Sequence, residues 1–133
     1  DSVTFNGSFL FAKAPSGTYY IQTKHRNALE TWSKTGGESY TLGSSLNYDF
    51  TTDSAKAYGK NMKKAETKWV FYVGDVNQDG FIDLTDEVVI NNDVNLFSAG
   101  YIKTDVNGDK IVDLTDLIIT YNNAAAFVIK STP

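Results

Sequence analysis

The chain has 133 residues, 41% of them hydrophobic and 14% aromatic, with a formal net charge of −4; that is enough for one domain or two small ones with a real core. It has no cysteine, so disulfides are excluded, and no run of 18 apolar residues, so no membrane-spanning helix is expected. The N-terminus, DSVTFNGSF, lacks the basic and apolar regions of a signal peptide, and the chain is expected to be mature or cut from something longer.

In chain order, residues 1–73 read as short strands. SVTFNGSFLFA alternates Val3, Phe5, Phe9 and Phe11 around Gly7, and TYYIQTKH is rich in aromatic and β-branched residues. A turn at His25-Arg26-Asn27 leads into ALETWS, and one or two more strands are expected in ESYTLGSSLNYDFTT. Gly59 argues against a helix over Thr52–Lys64, and ETKWVFYVG closes the segment as a strand. Six or seven strands with frequent turns predict an antiparallel sandwich.

At residue 74 the character changes. Residues 1–74 carry six acids and nine bases, and residues 75–133 carry ten acids and three bases. The acidic half repels nucleic-acid phosphates, so no nucleic-acid partner is expected, and two divalent cations would cancel the net charge. This half is an ungapped internal repeat: Asp75 to Phe97 aligns on Asp105 to Phe127, with ten of 23 positions identical. Each copy has an aspartate-rich loop, then a threonine and an apolar run (LTDEVVINND and LTDLIITYNN), which reads as a loop entering a short helix. Two such units bury together the face that neither buries alone.

Aspartates so close together repel unless a cation sits among them. Calcium takes six to eight oxygens, and a 12-residue loop wraps it from positions 1, 3, 5, 7, 9 and 12. In the first loop these are Asp75, Asn77, Asp79, the carbonyl of Phe81, Asp83 and Asp86. In the second they are Asp105, Asn107, Asp109, the carbonyl of Ile111, Asp113 and Asp116. Magnesium fits less well, because it keeps more of its own water. Ile82 and Val112 fall at position 8, expected to face the core. Position 6, where the chain turns sharply, is Gly80 in the first loop but Lys110 in the second. A non-glycine residue with positive φ costs roughly 1 kcal/mol, and its ammonium competes with the cation, so weaker binding is expected at the second loop.

Both loops end in aspartate rather than the glutamate usual in an EF-hand. DVNQDGFIDLTD and DVNGDKIVDLTD resemble the duplicated loops of dockerins, calcium-binding modules of secreted bacterial proteins, over about 45% of the chain. The resemblance implies two bound calcium ions, an extracellular location, and recognition of a cohesin through loop positions 10 and 11, here Leu84-Thr85 and Leu114-Thr115. The segments NNDVNLFSAGYIKT and NNAAAFVIKSTP depart from a usual dockerin helix. Nearly the whole chain also resembles a C-terminal arrangement in secreted surface proteins of Bacteroidetes- and Ignavibacteria-like bacteria, in which a β-domain runs directly into paired loops. In that arrangement the β-domain has further strands upstream of the position of Asp1. If those strands are missing, the sandwich has an open groove, which a neighbour can fill by strand donation to give a filament. Val3–Phe11 and the tail Phe127–Pro133 are the candidate donors.

An enzyme is not expected. His25 has no nucleophile context and belongs at a strand end with Arg26 exposed; Glu30, Glu38 and Glu66 are not paired by anything in the sequence. The aromatics, Trp32 foremost, make a sugar-stacking platform a further alternative, although at strand spacing aromatics usually serve the core. Asn6-Gly7-Ser8 is an N-glycosylation sequon, and Ser2 and Ser54 sit in Asp-Ser-apolar patterns resembling O-glycosylation sites of Bacteroidetes. The expected fold is a mainly β sandwich (immunoglobulin-like or prealbumin-like) over residues 1–73 and a small α, dockerin-like calcium domain over residues 74–133. The expected function is a non-enzymatic extracellular assembly protein whose partners are copies of itself or a cohesin-like receptor.

Overall fold

A computed structural model describes residues 6–133. Its strands are β1 (Gly17–Tyr19), β2 (Gln22–His25), β3 (Ala28–Trp32), β4 (Glu38–Tyr40), β5 (Lys63–Ala65) and β6 (Lys68–Val70), followed by helices α1 (Leu84–Asn95) and α2 (Leu114–Ala125). All strand pairing is antiparallel, β1 with β4, β2 with β3 and β5 with β6, giving three separate two-stranded sheets. The expected strand character and antiparallel pairing are present. Among the described residues, however, the six strands do not assemble into two facing sheets. They are three to five residues long, and most of β1, β5 and β6 is exposed, so these ladders have little apolar face to stack. The expected strand over Val3–Phe11 lies partly outside the described residues. From Asn6 to Phe11 the chain is irregular, with Phe9 and Leu10 82% and 90% exposed. Thr41–Asp49 is likewise a connection rather than a strand. Short 3-10 turns occupy Phe50–Thr52, Ser54–Lys56 and Tyr58–Lys60, and Gly59, at φ 64°, breaks the last of them.

The β2–β3 hairpin is the exception to this exposure. Arg26 and Asn27 form its two-residue turn, and Asn27, Ala28 and Leu29 are buried. The hairpin does not keep to its own half of the chain. Leu29 packs with Ile82 and Val128, its N–H donates to the Tyr72 carbonyl, and the Gly74 N–H donates to the Asn27 carbonyl. The change of composition at residue 74 is therefore crossed by core packing and by the backbone hydrogen bonds of this hairpin.

The repeat folds as two loop–helix units around a shared core of Val76, Ile90, Val106 and Val112, flanked by Val89, Val94, Leu117 and Ile119. Ile82 and Val112, at position 8 of each loop, are buried as expected. Each helix opens with a reciprocal cap. The Asp83 carboxylate accepts from the Thr85 N–H while Asp86 accepts from the Asp83 N–H, and Asp113 and Asp116 repeat the arrangement. The segments that depart from a dockerin helix have a structural task. Phe81 of the first loop bridges Ile129, beyond α2, and Ile111 of the second bridges Ala99, beyond α1. Each unit thus clips the tail of the other helix onto its own loop. For this reason the tail Phe127–Pro133, a candidate donor strand, is already engaged: the Ile82 N–H donates to Val128 and the Lys130 N–H to Gly80.

Both helices end on a phenylalanine in left-handed backbone, Phe97 at φ 53° and Phe127 at φ 54°, and both rings are about nine-tenths exposed. Phe97→Asn is expected to raise stability by about 1 kcal/mol in urea unfolding, because asparagine tolerates this conformation and little packing is lost.

Candidate metal centre

The residues expected to hold a cation lie on the two loops that open α1 and α2. In the first, Asp75 and Asp86 are buried, while Asn77, Asp79, Phe81 and Asp83 lie on the open side. The Asn77 side chain accepts from the Asp79 N–H and donates to the Asp79 carboxylate and the Thr85 hydroxyl, so three polar positions are laced together. Asp86 uses one carboxylate oxygen for the N–H groups of Val76 and Asn77, at 2.9 and 3.1 Å, and the other for that of Asp83. The bridge to Ile129 decides where the Phe81 carbonyl points. Its hydrogen bonds come from Ile82 and Gly80, on either side, so Phe81 sits in a non-hydrogen-bonded pair and its own N–H and carbonyl face the loop interior. Its N–H duly donates to Asp79. The second loop repeats this geometry through Ile111 and Asp109, with Asp116 accepting from Val106, Asn107 and Asp113.

Among the described residues, no three acidic side chains already converge on one point. Helix capping and backbone bonds account for most of their oxygens. They do not account for Asp75. Its Oδ2 accepts from the Gly80 N–H, but its Oδ1 is buried with no hydrogen-bond partner. The Gln78 N–H eases that charge slightly without bonding it. Burial, then the neighbouring charge of Asp86, pushes the Asp75 carboxyl up to about 6. Burial also raises Asp86, against the three backbone donors that lower it. A carboxylate oxygen orphaned beside other carboxylates and an inward-facing carbonyl fits a hard, oxygen-seeking cation.

The left-handed positions bear on the strain part of the expectation based on Lys110, not on the expected weaker binding itself. Lys110 does adopt φ 73°, as Gly80 adopts 91°. At position 4 the exchange is reversed: Gln78 is left-handed at φ 62°, where the second loop has Gly108 at 85°. Each loop therefore carries one glycine and one strained residue, and backbone strain does not separate them. Lys130, not a loop residue, lies over Gly80, so a side chain there would collide with its aliphatic stem.

The remaining candidates are placed as follows. Leu84 and Leu114 are 69% and 62% exposed, and Thr85 and Thr115 are exposed beside them. Asn6 is exposed, Ser54 opens a 3-10 turn behind the Asp53 cap, and Ser2 lies outside the described residues. His25 ends β2 with its Nδ1 2.8 Å from Asn27 Oδ1. Arg26, expected to be exposed, is instead held against Tyr101, with its guanidinium carbon 3.7 Å from the ring centroid. Trp32 is half-buried, meets Tyr20 edge-on and donates to Glu30 at 2.6 Å. Burial would raise Glu30, but hydrogen bonds from Lys24, Gln22 and Trp32 outweigh it and hold the carboxyl at about 2.

These two carboxyls have opposite consequences for pH. Asp75 has a folded value above its ordinary 3.8, so its contribution is full below 3.8 and is lost as pH rises towards 6. Glu30 lies below its ordinary 4.5, so its contribution is present above 4.5 and lost as pH falls towards 2. In chelator, urea unfolding is expected to give greatest stability near pH 4 to 5, with roughly 2–3 kcal/mol lost by pH 7 through Asp75. No family model, curated protein or solved structure matches this chain.

Proposed function

We propose that this chain is a non-enzymatic, extracellular assembly protein whose C-terminal half is ordered by two calcium ions, and that copies of it join by strand donation. The observation that carries the calcium reading is the buried, unpartnered Asp75 oxygen among other carboxylates. The first ion would be held by Asp75, Asn77, Asp79, the Phe81 carbonyl, Asp83 and Asp86, and the second by Asp105, Asn107, Asp109, the Ile111 carbonyl, Asp113 and Asp116. A bound cation supplies the positive charge that offsets carboxylate repulsion, so its binding free energy becomes folding free energy. Extracellular modules typically bind calcium with dissociation constants of about 10⁻⁴ to 10⁻³ M, so such a module orders outside a cell and loosens inside it.

Strand donation is supported by the edge strands of the three two-stranded ladders, of which β3 is already bridged to Val73 on its second side, and by the exposed Phe9, Leu10 and Phe11. With the C-terminal tail engaged in its own chain, the donor is the N-terminal arm. On this reading the β half is an incomplete sandwich that a neighbour's arm completes, and the head-to-tail contact propagates as a filament. The exposed Leu84 and Leu114 favour a second reading, a dockerin-like module that docks a secreted protein onto a cohesin-like receptor. Sedimentation in millimolar calcium and after chelation, with negative-stain imaging of the pellet, separates the two. Filaments that disappear in a Phe9→Asp, Phe11→Asp variant support self-assembly. A monodisperse monomer at high concentration sinks it and leaves the docking module.

A further inference from the structure

The two loops repeat each other in sequence, yet the fold treats their first aspartates differently. Asp75 keeps one carboxylate oxygen without a partner. In Asp105 both oxygens are engaged: Oδ1 accepts from the Gly108 N–H at 2.7 Å and Oδ2 from the Lys110 N–H at 3.2 Å. The turn of the β2–β3 hairpin adds a cation on that side. Arg26 Nη2 stands 3.9 Å from Asp105 Oδ2 and 3.5 Å from the Asp105 carbonyl oxygen. Its Nε donates to the Ile102 carbonyl, its Nη1 faces His25 Nε2 at 3.1 Å, and Tyr101 lies under the guanidinium. Asn27, next in the turn, donates to the same Asp105 carbonyl at 2.7 Å. Among the described residues no ion pair reaches a first-loop aspartate: Lys130 lays its aliphatic stem over Gly80, and the hairpin is met by the neutral Gln78 side chain, which donates to the Ala28 and Asp75 carbonyls.

We infer that Arg26 is an internal counter-ion to the second loop, so that the two loops take up calcium unequally, the first ready and the second restrained by the hairpin turn. The inference rests on the calcium reading above. Backbone strain is shared evenly between the loops, through Gln78 in one and Lys110 in the other, and so does not account for an inequality. Charge does. The guanidinium lies within direct ion-pair reach of the position-1 aspartate and is fixed there by four backbone or ring contacts, so an arriving divalent ion meets its repulsion in a poorly screened place. Arg26 is a positioning residue here, not a ligand.

The sign of its effect distinguishes this role from ordinary packing. A group that only braces the hairpin makes the second loop weaker when removed, whereas a counter-ion makes it tighter. The test is a calcium titration of the full chain by calorimetry, with Asp75→Asn and Asp105→Asn used to assign each binding step to its loop. Wild type is expected to show two unequal steps, the tighter lost in Asp75→Asn. Arg26→Met keeps an unbranched side chain and removes the charge. It is expected to tighten the second step about three- to tenfold and leave the first within about twofold. Tyr101→Leu, which releases the guanidinium without touching the loop, is expected to give a smaller change of the same sign, about twofold. Unchanged or weakened second-step affinity in both variants overturns the role of Arg26 while leaving two calcium sites in place. Absence of any calcium step in wild type overturns the calcium reading itself, and the inference with it.

Discussion

Removing calcium from the full chain is expected to lower its thermal midpoint by roughly 10–25 °C. With calcium one hundred times above its dissociation constant, each site contributes about 2.7 kcal/mol, so two contribute about 5 kcal/mol, and each kcal/mol moves the midpoint of a domain this size by roughly 2–5 °C. That is a large share of the 5–15 kcal/mol typical of a folded domain. The loss should not be confined to the acidic half. Leu29 shares a buried cluster with Ile82 and Val128, and Asn27 is hydrogen-bonded to both Gly74 and Asp105. Trp32, at the far end of β3, is carried on the same hairpin. Its fluorescence, isolated in a Trp69→Phe variant, is therefore expected to change at the same midpoint as helical circular dichroism, with and without chelator. Two separated transitions would mean that the hairpin folds independently of the loops. An unshifted midpoint would mean that the caps and the shared core hold the loops without metal.

The loop–helix half was legible because its signals are local. Each helix start is written within four residues, Asp83 to Asp86 and Asp113 to Asp116, and position 8 is fixed by counting from the first aspartate. The β half was less legible because strand pairing is a long-range choice. The alternation in FNGSFLFA suggests a strand, yet none of the residues from Gly7 to Phe11 lies in one. The second-loop argument from Lys110 was incomplete for a different reason. It weighed position 6 alone, whereas Gly108 against Gln78 at position 4 shows in the aligned sequence that the strain is exchanged between loops rather than added to one. The contact of Arg26 with Asp105 spans 79 residues, and no spacing rule reaches that far. An arginine in a two-residue hairpin turn reads as solvent-exposed until the fold brings Tyr101 beneath it.

Asp86→Asn is expected to cost about 1–2 kcal/mol in chelator and about 4 kcal/mol in calcium at one hundred times its dissociation constant, measured by urea unfolding under both conditions. Asp86 has two tasks that this comparison separates. As a cap it accepts three backbone N–H bonds in a fully buried position. An asparagine carbonyl retains the pair from Val76 and Asn77, but its amide meets the Asp83 N–H donor against donor, which costs about 1–3 kcal/mol. Part of that cost is offset without metal, because the charge removed is one that raises Asp75. In calcium the offset vanishes. The charge that repelled Asp75 is then one the cation needs, and its loss forfeits about another 2.7 kcal/mol of binding linkage. An equal cost in both conditions would make Asp86 a helix cap and nothing more. The corresponding Asp116→Asn should cost about as much in chelator, since the bond from the Asp113 N–H is lost while those from Val106 and Asn107 are kept. It should gain less additional cost in calcium, because Arg26 already neutralises part of the second loop's charge.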